Sequence, residues 1–250
     1  MGWIMKRFGL HRYAVFVAVC TLLVIISGAA VTSSRDQARQ ALLHNVHIAV
    51  AVADAILIAG LVRLHTRAGW SVLAIAVADA LVGGTLHAFL AAVLFAALAA
   101  IALFASPHAP ETVEDYGWPS LRFLSAAAAV LVAVQVAFGA GFRHGVVSVM
   151  PHLLGALVVA LFIMIVGAFV THQFPTHATL RPLAVRFMTI TGIQVFLGLA
   201  VFLMRLMNMA GTLAFLAASV AHVAAGNLIF AVSVMLALEI RRCVRPRVPA

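Results

Sequence analysis

Phe138 to Leu157 reads FGAGFRHGVVSVMPHLLGAL: a small-residue helix end, a very short turn, and a second apolar helix that opens on His152. The same order occurs earlier, from Ser27 to Ala51, in SGAAVTSSRDQARQALLHNVHIAVA. That correspondence matches His152 with His47, or with His44 one turn before it. Each copy is followed by a further pair of apolar segments whose last member also carries a histidine, His87 in the first half and His222 in the second. The chain thus reads as two halves with two intramembrane histidines each.

Composition fixes the class. Of 250 residues, 65% are hydrophobic and 9% charged, too much apolar surface and too little charge for a soluble domain of this length. The fold class expected is all-α and polytopic, because the apolar runs have the ~20-residue length that crosses a bilayer. The ten-residue alternation of a transmembrane β-barrel is missing. A formal charge of +9 does not point to nucleic acid, because the basic residues are dispersed between apolar segments and read as topology signals. Cys20 and Cys243 form no paired motif and read as free thiols. The basic N-terminus and the long apolar run behind it read as an uncleaved first span.

The apolar segments predict eight transmembrane helices at 13–31, 42–64, 70–82, 85–105, 121–142, 149–172, 183–206 and 213–240. The third is short, and the alternative is a seven-span chain. The positive-inside rule supports eight spans with both termini cytoplasmic. In that topology twelve of the sixteen Lys and Arg face inward, and only Arg35, Arg39, Arg143 and Arg205 face outward. The stretch 106–120, SPHAPETVEDYGWPS, has acidic residues and prolines but no basic residue. It reads as a cytoplasmic linker joining a four-helix half at 1–105 to another at 121–250, each a bundle able to build a cofactor site between facing helices.

His47, His87, His152 and His222 then all enter helices that begin on the outer side. A histidine in hydrocarbon needs partners for its ring nitrogens and normally faces the bundle interior. Four at matching depth point to two pairs, each able to ligate a haem iron from both sides. Gly155 and Ala156 after His152, and Ala225, Gly226 and Asn227 after His222, read as room for a macrocycle. Zinc is disfavoured, since a pair supplies two ligands with no carboxylate or cysteine cluster nearby. Arg143 and His144 read equally as propionate contacts or headgroup anchors, and His44 as an alternate ligand or a polar neighbour of a haem. His11, His65, His172 and His177 read as solvated residues at cytoplasmic edges, and His108 as solvated in the linker. Asp54 and Asp79 read as structural acids, with a proton path as the sharper alternative. Gln135 and Gln194 read as matching positions of the two halves that satisfy helix contacts.

Together these stretches resemble the heme A synthase family, eight-helix membrane enzymes that oxidise the methyl group of haem O to make haem A. The resemblance runs over nearly the whole chain. It is carried by SGAAVTSS at 27–34, HIAVA at 47–51, LHAFLAAVLF at 86–95, and GAGFRH, HLLGAL, IQVFLG and AHVAAGNLIFA in the second half. It implies that His152 and His222 bind a b-type haem, while His47 and His87 frame the site that receives the substrate haem in the synthases. The family's catalytic glutamate, three residues before the second-helix histidine, falls on His44, or on Ala41 if His44 is the matched ligand. The family's cysteine pair is replaced by SSRDQARQ.

The expectation is therefore a divergent member that keeps haem-ligand positions without the reaction machinery. It would be an integral protein of the inner (cytoplasmic) membrane that binds one or two b haems and carries electrons as a subunit or partner of a larger redox complex. The alternative is a heme A synthase proper, an oxidoreductase with haem O or haem A in the N-terminal half.

Overall fold

The computed structural model describes residues 2–64, 66–107, 111–115 and 117–246. His65, His108 and Arg247 lie outside the described residues, as do the side chains of Lys6 and Arg7. The apolar runs form eight α-helices: α1 Gly2–Ser33, α2 Gln37–Leu64, α3 Thr66–Leu81, α4 Gly84–Ala105, α5 Leu121–Arg143, α6 Val149–Gln173, α7 Leu180–Leu206 and α8 Leu213–Cys243. Seven are long and apolar enough to cross a membrane, and the chain is an integral membrane protein. The exception is α3, whose 16 residues span only about 24 Å at 1.5 Å per residue, less than a hydrocarbon core of ~30 Å. It stops before Gly83-Gly84, where the φ of +60° at Gly84 is a left-handed turn that glycine adopts freely.

Contacts between helix ends fix which ends lie together. His11 on α1 bonds the Ala102 carbonyl near the end of α4 through Nδ1, 2.8 Å. After α4 the chain forms strand β1, Val113–Asp115, which pairs in parallel with β2, Val244–Pro246, just beyond α8. His177, between α6 and α7, bonds the Glu111 carbonyl, 3.2 Å. The start of α1, the linker and the end of α8 therefore share one end of the molecule. At the other end, Arg143 at the close of α5 reaches over the close of α1. Its Nε donates to Thr32 Oγ1 at 2.6 Å, and its Nη2 donates to Ser33 Oγ at 2.7 Å and to the Ala29 carbonyl. The guanidinium thereby fastens the end of α5 to the last turn of α1.

The linker end is more ordered than a solvated connection. The Asp115 carboxylate accepts from Leu121 N at 2.7 Å and Gly117 N at 3.0 Å, closing the first turn of α5 as a capping acid does. His177 is 4% exposed, which corrects its reading as solvated. Its Nδ1 accepts from the backbone N–H groups of Thr179 and Leu180, both at 3.2 Å, so it caps α7 while Nε2 serves the linker. Cys243 is also buried, its thiol 3.4 Å from Glu239 Oε1, and both cysteines are free. The exposed expectation holds for His172.

Two apolar clusters make the core. The larger joins α5, α6, α7 and α8, with Phe187, Ile163, Leu180 and Leu236 fully buried, and takes in Ala92 and Ala96 of α4. The smaller joins α1, α2, α3 and α4 around Val17, Ile58, Leu61 and Leu98, and takes in Ala231 of α8. Helices α4 and α8 thus lie between the clusters, while α2, α6 and α7 turn residues such as Val52, Ile56, Leu157, Leu161, Phe196 and Leu203 outward. Outward apolar side chains are what a hydrocarbon surround accepts.

Candidate functional site: two histidine pairs

The four histidines lead their helices at the end of the molecule away from the linker. His47 on α2 meets His87 on α4, with ring centres 6.2 Å apart and planes at 82°. His152 on α6 meets His222 on α8 at 6.1 Å and 90°. Two imidazoles that ligate one metal from opposite sides, each through a bond of ~2 Å, stand about 6 Å apart centre to centre. The angle between their planes is free, because each ring can turn about its own bond to the metal. Among the described residues no three histidine, cysteine or carboxylate groups gather to hold a metal ion, so the chemistry on offer is two separate two-nitrogen sites.

Each ring is seated by the helix preceding its own. A Cβ on Gly28 would stand 3.0 Å from His47 Cε1, one on Gly139 2.9 Å from His152 Cε1, and one on Gly198 2.8 Å from His222 Cε1. Real side chains do not approach as closely as at Gly139 and Gly198 and seldom as closely as at Gly28, so these glycines create the space the imidazoles occupy. In all three the Nδ1 edge lies nearer the glycine than Nε2 does. The seated edge meets polar groups: Ser27 Oγ is 2.9 Å from His47 Nδ1, and Gln135 Nε2 is 3.0 Å from His152 Nδ1. Gln194 Nε2 reaches His222 Nε2 at 3.4 Å. The residue four before each glycine, Val24, Gln135 and Gln194, turns its backbone toward the same ring.

His87 is the exception. Its Nδ1 lies 3.1 Å from the Asp79 carbonyl and 3.0 Å from Asp79 Oδ1. Asp79 stands four residues before Gly83, as Gln194 stands before Gly198, yet a Cβ on Gly83 would meet nothing within 4 Å. At this ring a carboxylate takes the place of the glycine seat.

The other residues singled out from sequence fall near these pairs or away from them. His44 is exposed on α2, and it is His47 that faces His87. Arg143 is committed to the end of α1. His144 follows as the C-cap of α5, its imidazole held below the ordinary range by burial and then by the charges of Arg143 and His87. Asp54 is 4% exposed and accepts from Thr21 at 2.7 Å across α1. Gln135 and Gln194 both belong to the C-terminal half, on α5 and α7, which corrects their reading as counterparts in the two halves. They also occupy the room assigned to a macrocycle at two positions: a Cβ on Gly155 would strike Gln135 Oε1, and one on Gly226 would stand 3.0 Å from Gln194 Nε2.

Orphaned polar atoms lie near both pairs. His222 Nδ1, Gln135 Oε1, Gln194 Oε1, Ser219 Oγ and Asn227 Oδ1 near the C-terminal pair, and Asp79 Oδ1 and Thr85 Oγ1 near His87, are buried without a hydrogen-bond partner. Groups of that kind are costly and call for a partner from outside the chain. Sequence reading found the four histidines but missed their seats. The signal was present as QVAFG at 135–139, QVFLG at 194–198 and DALVG at 79–83, a polar residue one helical turn before a glycine. The chain matches no family model, no curated protein and no solved structure.

Proposed function

We propose that this chain is a haem b-binding membrane protein of heme A synthase-like fold that carries electrons as a subunit or partner of a larger redox complex. The carrying observation is the pair of matched separations, 6.2 Å for His47–His87 and 6.1 Å for His152–His222, in a protein whose helices suit a membrane. His47 and His87 would hold one haem, His152 and His222 the other. A haem held between two imidazoles would supply one-electron chemistry. The chain's own part is to orient. The glycine seats fix three of the rings and Asp79 flanks the fourth, and contacts on the Nδ1 edge leave Nε2 as the ligating nitrogen of His47 and His87.

The same reading counts α3 as an eighth crossing, takes 1–105 and 121–250 as repeated halves around the linker 106–120, and sets both termini on the cytoplasmic side of the inner membrane. Arg35, Arg39, Arg143 and Arg205 would then be the only basic residues on the outer side, at the histidine end. The synthase alternative draws no support from the N-terminal site, where the position three residues before His47 is the exposed His44 and not a carboxylate.

The test is the visible spectrum of the purified full-length protein, oxidised and reduced, with haem extracted, typed and counted. Two b haems per chain with reversible reduction are expected. Colourless protein from cells replete in haem would overturn the proposal, and bound haem O or haem A would move it to the synthase reading.

A further inference from the structure

The four histidine seats are alike in position and unlike in chemistry, and the difference falls between the halves. Ser27, Gln135 and Gln194 offer neutral hydroxyl and amide groups to His47, His152 and His222. Asp79 alone offers a carboxylate, with Oδ1 3.0 Å and its own carbonyl 3.1 Å from His87 Nδ1. The carbonyl accepts the Nδ1 proton and leaves the Nε2 lone pair free, while Oδ1 stands in charge contact with the same nitrogen without a hydrogen bond of its own. A carboxylate behind a ligating imidazole also makes it a stronger electron donor, and hydrogen bonding to the ligand is one of the levers that set a haem potential.

Resting on the haem reading above, we infer that Asp79 is a positioning residue that sets the two centres apart, giving the His47–His87 centre the lower midpoint potential. The other charged and titratable neighbours do not cancel it. His44 and His144 are histidines without a contact to Nδ1 of His87, and Arg143 is spent on the end of α1. Asp79 is itself mostly shielded, its side chain 13% exposed, so water does not dilute its effect on the ring as it would at an open surface.

The position-matched residue in the C-terminal half makes a reciprocal test available. Asp79→Gln gives His87 an amide on the Nδ1 edge as His152 has, and Gln135→Glu gives His152 a carboxylate there. In a redox titration of the purified, haem-loaded chain, the wild type should show two midpoints, the lower one missing from His47→Ala. Asp79→Gln should raise the lower midpoint and leave the upper in place; Gln135→Glu should lower the upper one and narrow the gap. Two midpoints that neither substitution moves would overturn the inference while leaving the haem reading intact.

Protein that binds no haem would overturn the haem reading, and the role of Asp79 is then decided on the haem-free chain by nitrogen NMR of labelled histidine. The Asp79 carbonyl holds the Nδ1–H tautomer in wild type and variant alike, so the carboxylate is read from the shift of that ring nitrogen: a shift that moves in Asp79→Gln would support the positioning role, and an unchanged one would overturn it. Should Asp79→Gln not fold, Gln135→Glu decides through the Nδ1 shift of His152.

Discussion

In the C-terminal half, His152 and His222 lie against Gly139 and Gly198 and beside Gln135 and Gln194. In the N-terminal half only His47 has a glycine, Gly28, and His87 has Asp79 instead. The ring separations nonetheless agree to 0.1 Å, at 6.2 and 6.1 Å. The comparison separates two levels of control. Spacing between the rings is set by the helices packed on both members of each pair, α1 against α2 and α4, and α5 and α7 against α6 and α8, whereas the chemistry behind each ring is set by one residue on the preceding helix. The halves also differ in what supports them: the C-terminal histidines rest on the larger apolar cluster, the N-terminal ones on a smaller cluster to which α3 adds the buried Val72.

The largest effect expected is loss of a ligand. His152→Ala or His222→Ala should remove one of two haems and leave the other, and His47→Ala or His87→Ala should do the converse, read as haem per chain and as the midpoint that survives. All four substitutions abolishing all haem would show that the halves do not act as separate sites. Because the C-terminal ring pair sits on the larger core, the single haem left after His47→Ala should be held more firmly than the one left after His152→Ala. Haem retained on washing in detergent measures that difference.

A smaller and graded effect should follow from filling the seats. Alanine at Gly198, Gly139 or Gly28 brings a Cβ to 2.8, 2.9 or 3.0 Å from the ring, so the imidazole must shift. Loss of a supporting contact of this kind costs ~10–100-fold in metal affinity. The expected order of haem loss is Gly198→Ala first, Gly139→Ala next and Gly28→Ala last. Gly83→Ala, with open space at its Cβ, should cost nothing at a ring, and it isolates the carboxylate-backed histidine as the one that does not depend on a glycine.

Helix positions were legible in the sequence because hydrocarbon imposes a length and a composition that no local interaction overrides. The starts of α4, α5, α6 and α8 fall within a residue of where the apolar runs place them. The histidine pairing was legible for a similar reason: a costly side chain repeated at one depth implies a partner at that depth. What stayed hidden were contacts that depend on which faces meet. Gly155 and Gly226 read as space for a ligand, and the space at both is taken by glutamine amides. His177 read as solvated, since nothing in its own neighbourhood announces that the linker folds back over it. The pairing of β1 with β2 joins residues more than a hundred positions apart in two three-residue strands, too short for alternation to mark them.

Arg143 tests whether the halves hold each other at the histidine end. Arg143→Ala removes the donors that reach Thr32, Ser33 and the Ala29 carbonyl. Hydrogen bonds to a charged group contribute roughly 1.5–3 kcal/mol, so a loss of about 2–3 kcal/mol is expected in detergent unfolding. Arg143→Lys should recover only part, because an ammonium cannot reproduce the planar fork. If the N-terminal half is the more weakly supported, its haem should be released before the C-terminal one as Arg143→Ala unfolds; simultaneous release would mean that the two halves melt as one.

The opposite end should matter least to the haems, and that makes it a control on the comparison. Arg122 Nε donates to the Val244 carbonyl at 2.8 Å, and its Nη2 reaches the Arg241 carbonyl at 3.3 Å, fastening the start of α5 to the chain just beyond α8. One bond is short and one long, and the site is only half-buried, so Arg122→Ala should cost on the order of 1 kcal/mol. The loss should appear as local opening of the β1–β2 pair, leaving the linker fastened by Asp115 and His177. Limited proteolysis should therefore cut within 106–120 sooner in Arg122→Ala than in wild type, while both haem signals and both midpoints stay unchanged. A shift in either midpoint would mean that strain at the linker end reaches the histidines through α4 or α8, the two helices lying between the apolar clusters, and the separation of spacing from ring chemistry would then need α4 and α8 as a third, shared control.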